Sequence, residues 1–127
     1  MRNLKVFSIL LGLLLLLAAC GGSSVEPINS TPTPGVKEIV LEGPNELKFV
    51  PDSANAKVGQ EVKITLKNTG ALEHNLVWDD TGEEVIVTQA GEEGTTSRTF
   101  DTAGEYGFHC SVAGHKEAGM IGKLIVE

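Results

Sequence analysis

The chain has 127 residues, with 17 acidic and 10 basic side chains and a formal net charge of −7. This length suits one domain with a small core. The acidic balance argues against nucleic acid as a partner and against direct adsorption to anionic lipid.

The first residues read as a targeting segment rather than as fold. Met1-Arg2-Asn3-Leu4-Lys5 is a short basic region, Val6 to Ala19 is apolar, and Leu17-Ala18-Ala19-Cys20 closes the run with small residues and a cysteine. That is the arrangement of a secretory signal over 1–19. The fourteen apolar-segment residues fall short of the roughly 20 that span a bilayer. Leu-Ala-Ala-Cys also resembles the bacterial lipobox. This implies cleavage before Cys20 and its lipidation, giving an exported lipoprotein held on the outer face of the cell membrane or its periplasmic side. Stable anchoring takes more than one acyl chain. Loss of Arg2 and Lys5 with the signal moves the formal charge from −7 to −9. With Cys20 acylated, Cys110 has no disulfide partner within the chain, and an unpaired cysteine in an exported protein needs another role.

Residues 20–36 hold the lipidated Cys20 and a run rich in Gly, Ser, Thr and Pro, which predicts a tether, flexible at its Gly/Ser end and stiffer through Thr-Pro. From residue 37 to 127 the hydrophobic period is two. Val62, Ile64 and Leu66 alternate with Glu61, Lys63, Thr65 and Lys67, which predicts a half-buried strand. Further strands are expected over Lys37–Glu42, Leu47–Val50, Leu72–Trp78, Glu84–Thr88, Thr95–Phe100, Glu105–Cys110 and Ile121–Val126. Each is short and followed by turn residues. About eight short strands and no helical stripe argue for an all-β, Greek-key β-sandwich in a single domain.

The same alternation assigns faces. His74 falls with Leu72, Leu76 and Trp78 and is expected inward, whereas Glu73, Asn75 and Asp79 take the other face. Cys110 falls with Tyr106 and Phe108; His109 falls with Glu105 and Gly107. Beyond Cys110 come His115 and Met120, in the run Cys110-Ser-Val-Ala-Gly-His115-Lys-Glu-Ala-Gly-Met120. A thiolate, two imidazoles and a thioether are the donor set of a blue-copper electron-transfer site. Met120 is the one methionine after the initiator, and two of the three histidines belong to the set. Singly, His74 reads as a hydrogen-bonded core residue, Cys110 as a small buried hydrophobe and Met120 as core filling. Jointly, their spacing and scarcity favour copper.

Residues 47–127 resemble the cupredoxins, the plastocyanin/azurin group of type 1 copper proteins, and among them the auracyanin-type members. The matching pieces are Asn68-Thr69-Gly70, His74-Asn75, Gly104-Glu105-Tyr106-Gly107-Phe108, and Cys110 with Gly114-His115 and Gly119-Met120-Ile121-Gly122. Plastocyanins place two residues between the Cys and the second His, and azurins place three between that His and the Met. The four-and-four spacing here points to auracyanin. The resemblance implies His74, Cys110 and His115 as equatorial ligands and Met120 as axial ligand of one Cu(I)/Cu(II) ion per chain. It also implies that Asn75 braces the loop around Cys110, against the alternative of a solvent-facing strand residue. His109 is expected to be an exposed histidine beside the thiolate, since no second ligand cluster accompanies it.

The resulting expectation is a membrane-tethered blue-copper carrier, monomeric and not an enzyme, that moves one electron between redox proteins. A basic cytochrome c or a membrane oxidoreductase complex would suit the acidic clusters Asp79, Asp80, Glu83, Glu84, Glu92 and Glu93, which as solvated turns have a simpler reading. Small and apolar residues around His115 (Val112, Ala113, Gly114, Ala118, Gly119 and Ile121) suit close approach of such a partner. The alternatives are an exported copper carrier or buffer and a component of a copper redox enzyme.

Overall fold

The computed structural model describes residues 35–127. The signal segment 1–19, Cys20 and the tether up to residue 34 lie outside the described residues. Eight strands follow: β1 Lys37–Gly43, β2 Ser53–Ala56, β3 Glu61–Asn68, β4 His74–Trp78, β5 Glu84–Thr88, β6 Glu93–Thr99, β7 Gly104–His109 and β8 Ile121–Val126. One sheet has the order β1-β3-β6 and the other β2-β8-β7-β4-β5. Two pairs, β1 with β3 and β2 with β8, are parallel, and the remaining pairs are antiparallel. This is the all-β sandwich that the period of two requires.

Alternation sorts the side chains. On β3, Val62, Ile64 and Leu66 are buried, Glu61 is exposed, and Lys63, Thr65 and Lys67 are half-buried. Their apolar face packs with Leu41 against Leu76, Trp78, Ile86, Phe108 and Leu124 of the larger sheet. Aromatic edges lock the middle: Phe49 meets Phe108 at 5.2 Å, and Trp78 meets Phe108 at 5.7 Å and Phe100 at 5.4 Å, all T-shaped. Such pairs add about 0.5–1.5 kcal/mol each beyond burial.

One expected strand, Leu47–Val50, is absent and another, Leu72–Trp78, begins two residues late, both for local reasons. Leu47–Val50 is not a strand. Leu47 has φ 49°, and its N–H donates to the Pro44 carbonyl (3.3 Å), so a turn reverses the chain there. Only Val50 pairs, as a single antiparallel bridge to Glu42, while Phe49 enters the core. The strand is instead Ser53–Ala56, whose small and polar residues carry no β signal; pairing with β8 through Ser53↔Lys123 to Ala56↔Val126 makes it one. At β4 the strand starts only at His74. Leu72, expected on the inward face, is 53% exposed, because the loop before β4 is held away from the ladder. The Ala71 N–H donates to Asn45 Oδ1 (2.8 Å), and Asn68 Nδ2 donates to the Leu72 carbonyl (2.7 Å).

At the Trp78 end of β4, Arg98 lies over the rings of Trp78, Phe100 and Tyr106, 4.6–5.6 Å from their centroids. Its Nη1 and Nη2 grip the Asp80 carboxylate at 3.0 and 2.5 Å. The fork satisfies the guanidinium while its face covers the aromatic group. Hydrogen bonding from Arg98 holds the Asp80 carboxyl below the usual carboxylate range. A lowered folded-state pKa stabilises the fold above the ordinary aspartate value, and the gain is lost as pH falls through the lowered value. The pair is partly open to solvent, so Asp80→Asn should cost only about 0.2–1 kcal/mol at neutral pH. Thermal melts should show a lowered Tm at pH 7 and converge with wild type in acid. A difference that persists unchanged below the lowered pKa would refute the charge-based origin.

Candidate metal centre

β4 and β7 deliver two of the sequence-predicted residues to one pole of the sandwich. The two strands pair only at Val77↔His109 and Trp78↔Phe108; beyond that they part. His74 begins β4 and Cys110 follows the last residue of β7, so both side chains reach the same opening. The loop from Cys110 to Met120 then closes on itself. The Cys110 N–H donates to the Met120 carbonyl (3.0 Å), and the Met120 N–H donates to the His115 carbonyl (2.9 Å). Within the loop, the His115 N–H donates to the Val112 carbonyl (2.9 Å). Gly114 and Gly119 take φ 82° and 106°, the left-handed region in which a β-carbon is costly.

The outcome is a buried cluster. His74, Cys110 and Met120 have no exposed surface and His115 is 4% exposed. One ring nitrogen each of His74 and His115 and the Sγ of Cys110 all lie within 4.8 Å of one another. The two Nδ1 atoms stand 3.3 Å apart, and Cys110 Sγ stands 3.4 Å from that of His115. These atoms face each other and not the solvent. The His74 ring and the Met120 methyl both border the space beside Gly43 that a β-carbon there would enter. Soft sulfur with two imidazole nitrogens fits copper among the common ions, and a thioether at hand strengthens the fit.

Charge effects prepare the donors. Burial, and after it the neighbouring His115, hold His74 below the ordinary histidine pKa, with the Pro44 carbonyl pulling the other way. The His74 far nitrogen, Nε2, completes no hydrogen bond. A lowered value keeps the ring neutral, the form that ligates. The backbone N–H of Asn75 donates to Cys110 Sγ (3.5 Å).

Asn75 spans the gap where β4 and β7 separate. Its Oδ1 accepts the Ser111 N–H (2.7 Å), and its Nδ2 donates to Ser111 Oγ (2.8 Å) and to Glu84 Oε2 (2.5 Å). The carboxamide takes over the strand ladder at the residue after Cys110. It is 4% exposed, so the solvent-facing alternative is excluded. His109 points away from the cluster, as alternation requires, but it is not freely exposed. Its Nδ1 lies 2.6 Å from Asp79 Oδ1, and its side chain is 15% exposed. Gly107 makes room for this pairing, since a β-carbon there would fall 2.2 Å from Asp79 Oδ2.

Thr88 and Gly43 carry no individual signal in the sequence, and Asn68 stands in the matching piece Asn68-Thr69-Gly70 without an expected role at the site. Asn68 is buried and holds the approach to His74: its Oδ1 accepts the Gly70 N–H (3.0 Å) and its Nδ2 also donates to the Thr88 carbonyl (3.1 Å). The Thr88 hydroxyl donates to the His74 carbonyl (3.1 Å). Gly43 ends β1 against the ring of His74. Thr88 and Gly43 act across long sequence separations, as does Asn68 at Thr88, which a one-dimensional period does not reveal.

Residues 37–127 match the profile of the copper binding proteins of the plastocyanin/azurin family. The plastocyanin of Solanum tuberosum is 34% identical over 103 residues, covering 70% of this chain and 98% of that protein. The chloroplastic plastocyanin of Solanum lycopersicum is 35% identical over 103 residues, covering 70% of this chain and 57% of that protein. In architecture the chain is similar to auracyanin A, a "blue" copper protein from the green thermophilic photosynthetic bacterium Chloroflexus aurantiacus. That likeness has a TM-score of 0.65 at 23% identity, covering 73% of this chain and all of the other.

Asn75→Ala should leave the part-buried Ser111 N–H without its acceptor in the chain and cost about 0.5–1.5 kcal/mol. It should also weaken metal binding about 10–100-fold. Urea unfolding of the metal-free protein and competitive copper titration measure the two effects. An unchanged urea midpoint would show that the loop is held without the carboxamide.

Proposed function

Since the chain belongs to the copper-binding plastocyanin/azurin family and copper is its cofactor, we propose that it is a one-electron carrier with His74, Cys110 and His115 as equatorial ligands and Met120 as weak axial ligand. The observation that carries this reading is the burial of three ligand atoms within 4.8 Å of one another. Bound copper supplies a Cu(I)/Cu(II) couple. The chain's own groups keep the donors in place in both states. The loop is closed by backbone hydrogen bonds at Cys110 and Met120, Asn75 fixes Ser111, and the core excludes water from the thiol. A site that need not rearrange exchanges electrons with little reorganisation. With four donors from the chain itself, no ligand position is left for a substrate, so we read a carrier and not an enzyme.

Electrons would pass at the His115 edge. His115 is 4% exposed, and Ala113, Gly114, Ala118, Gly119 and Ile121 near it along the chain are exposed, as are Lys116 and Glu117 between them. This small-residue rim favours short-lived, close contact with a redox protein. The acidic clusters support a basic partner only modestly, because several members are engaged within the chain: Asp80 with Arg98, Glu93 with Lys67, and Asp79 with His109 and Lys116. A basic cytochrome c or a membrane oxidoreductase complex remains the chemistry that fits a net charge of −7. Acylation at Cys20 would hold the domain at a membrane surface through its tether, on the exported side.

Adding Cu(II) to the metal-free protein should give intense visible thiolate-to-copper absorption at one copper per chain. Cys110→Ser should abolish the colour, and Met120→Leu should keep it with a raised potential. A colourless wild-type complex would overturn the assignment. For the anchor, Cys20→Ala should move the protein from the membrane fraction to the soluble exported fraction, and mass spectrometry of wild type should find acyl chains on Cys20. Unmodified Cys20 in membrane-derived protein would remove the lipoprotein reading.

A further inference from the structure

The axial side of the site has a supporting residue with no side chain. Gly43, the last residue of β1, lies where a β-carbon would come 2.9 Å from His74 Cδ2 and 3.3 Å from the Met120 methyl carbon. The first distance is shorter than a β-carbon tolerates. Its backbone is also fixed: the Gly43 carbonyl accepts the N–H groups of Thr69 (3.1 Å) and Gly70 (3.0 Å), and β1 pairs with β3 up to Gly43↔Asn68. The strand end therefore cannot drift away to relieve pressure from an added methyl.

The backbone of Met120 is equally constrained. Its N–H and carbonyl are both engaged, with His115 and Cys110. What remains free is the side chain, and the position of the thioether depends on what its terminal methyl touches. A weak axial donor does not dictate its own position through a strong bond, so packing decides it. From these contacts we propose that Gly43 is a positioning residue: the absence of its side chain sets how closely the Met120 thioether lies against the His74 imidazole. The proposal rests on Met120 and His74 serving as copper ligands. A shift of a few tenths of an ångström on this side would change the axial interaction, which tunes the potential of such sites.

The experiment is a cycle of Gly43→Ala, Met120→Ala and the double variant, read by visible and electron paramagnetic resonance spectra of the Cu(II) forms, by reduction potential, and by urea unfolding of the metal-free proteins. Gly43→Ala in the wild-type background should alter the spectrum and shift the potential. In the Met120→Ala background the contact with His74 Cδ2 remains but the thioether is gone, so the same substitution should shift the potential by less, leaving only what pressure on the His74 ring produces. A Gly43→Ala protein with the wild-type spectrum and potential overturns the proposal, as do equal shifts in both backgrounds. If Gly43→Ala fails to fold without metal in both backgrounds, the glycine serves the end of β1 and not the site, and the proposal is lost. A blue wild-type protein with an unresponsive Gly43 would refute this inference alone, whereas a colourless wild type would refute the carrier reading beneath it.

Discussion

Three polar atoms, two imidazole nitrogens and a sulfur, are buried at one pole of the sandwich facing each other. Burying such groups without partners is costly, and here their partners are one another and the Asn75 N–H. Much of the surrounding structure keeps them gathered. Thr88 holds the backbone of His74, Asn68 holds the loop before it, and Asn75 holds the segment after Cys110. Each does so with a side-chain hydrogen bond at or just past the end of a strand ladder. The sheets supply rigid directions, and these polar side chains extend that rigidity past the strand ends.

The two poles are built by different means. At the Trp78 end of β4, aromatic rings and Arg98 seal the core with apolar contact and a single charged fork. At the His74 end, closure comes from backbone hydrogen bonds within the loop and from small residues that allow close approach. One end is filled with bulk and the other shaped around donors. Only the second has its most buried side chains rich in nitrogen and sulfur.

Much of this was legible in the chain because it depends on local patterns. Alternation in Val62-Lys63-Ile64-Thr65-Leu66 requires a strand wherever its neighbours lie, and the same rule turned His74 and Cys110 inward and His109 outward. The scarcity of sulfur and imidazole made their clustering visible. What stayed hidden depends on contacts between distant segments. Ser53–Ala56 becomes a strand only because β8 offers it an edge, and Leu47 interrupts an apparently extended run by adopting a left-handed turn. His109 gains its cover from Asp79, thirty positions earlier, and that pairing exists because residue 107 lacks a side chain. Gly43 shows no feature along the chain that separates it from any other strand-ending glycine.

The hydrogen bond from the Cys110 N–H to the Met120 carbonyl joins the two ends of the segment that carries three of the four donors, at the point where β7 hands over to β8. A segment whose ends are tied to each other transmits little of its own length to the body that bears it, and lengthening a surface loop costs little in closure entropy. Insertions and deletions between Cys110 and Met120 are thereby separated from the sheets. The scaffold and the span of the donor segment can diverge independently, so differences in ligand spacing among relatives need not imply any difference in the body underneath.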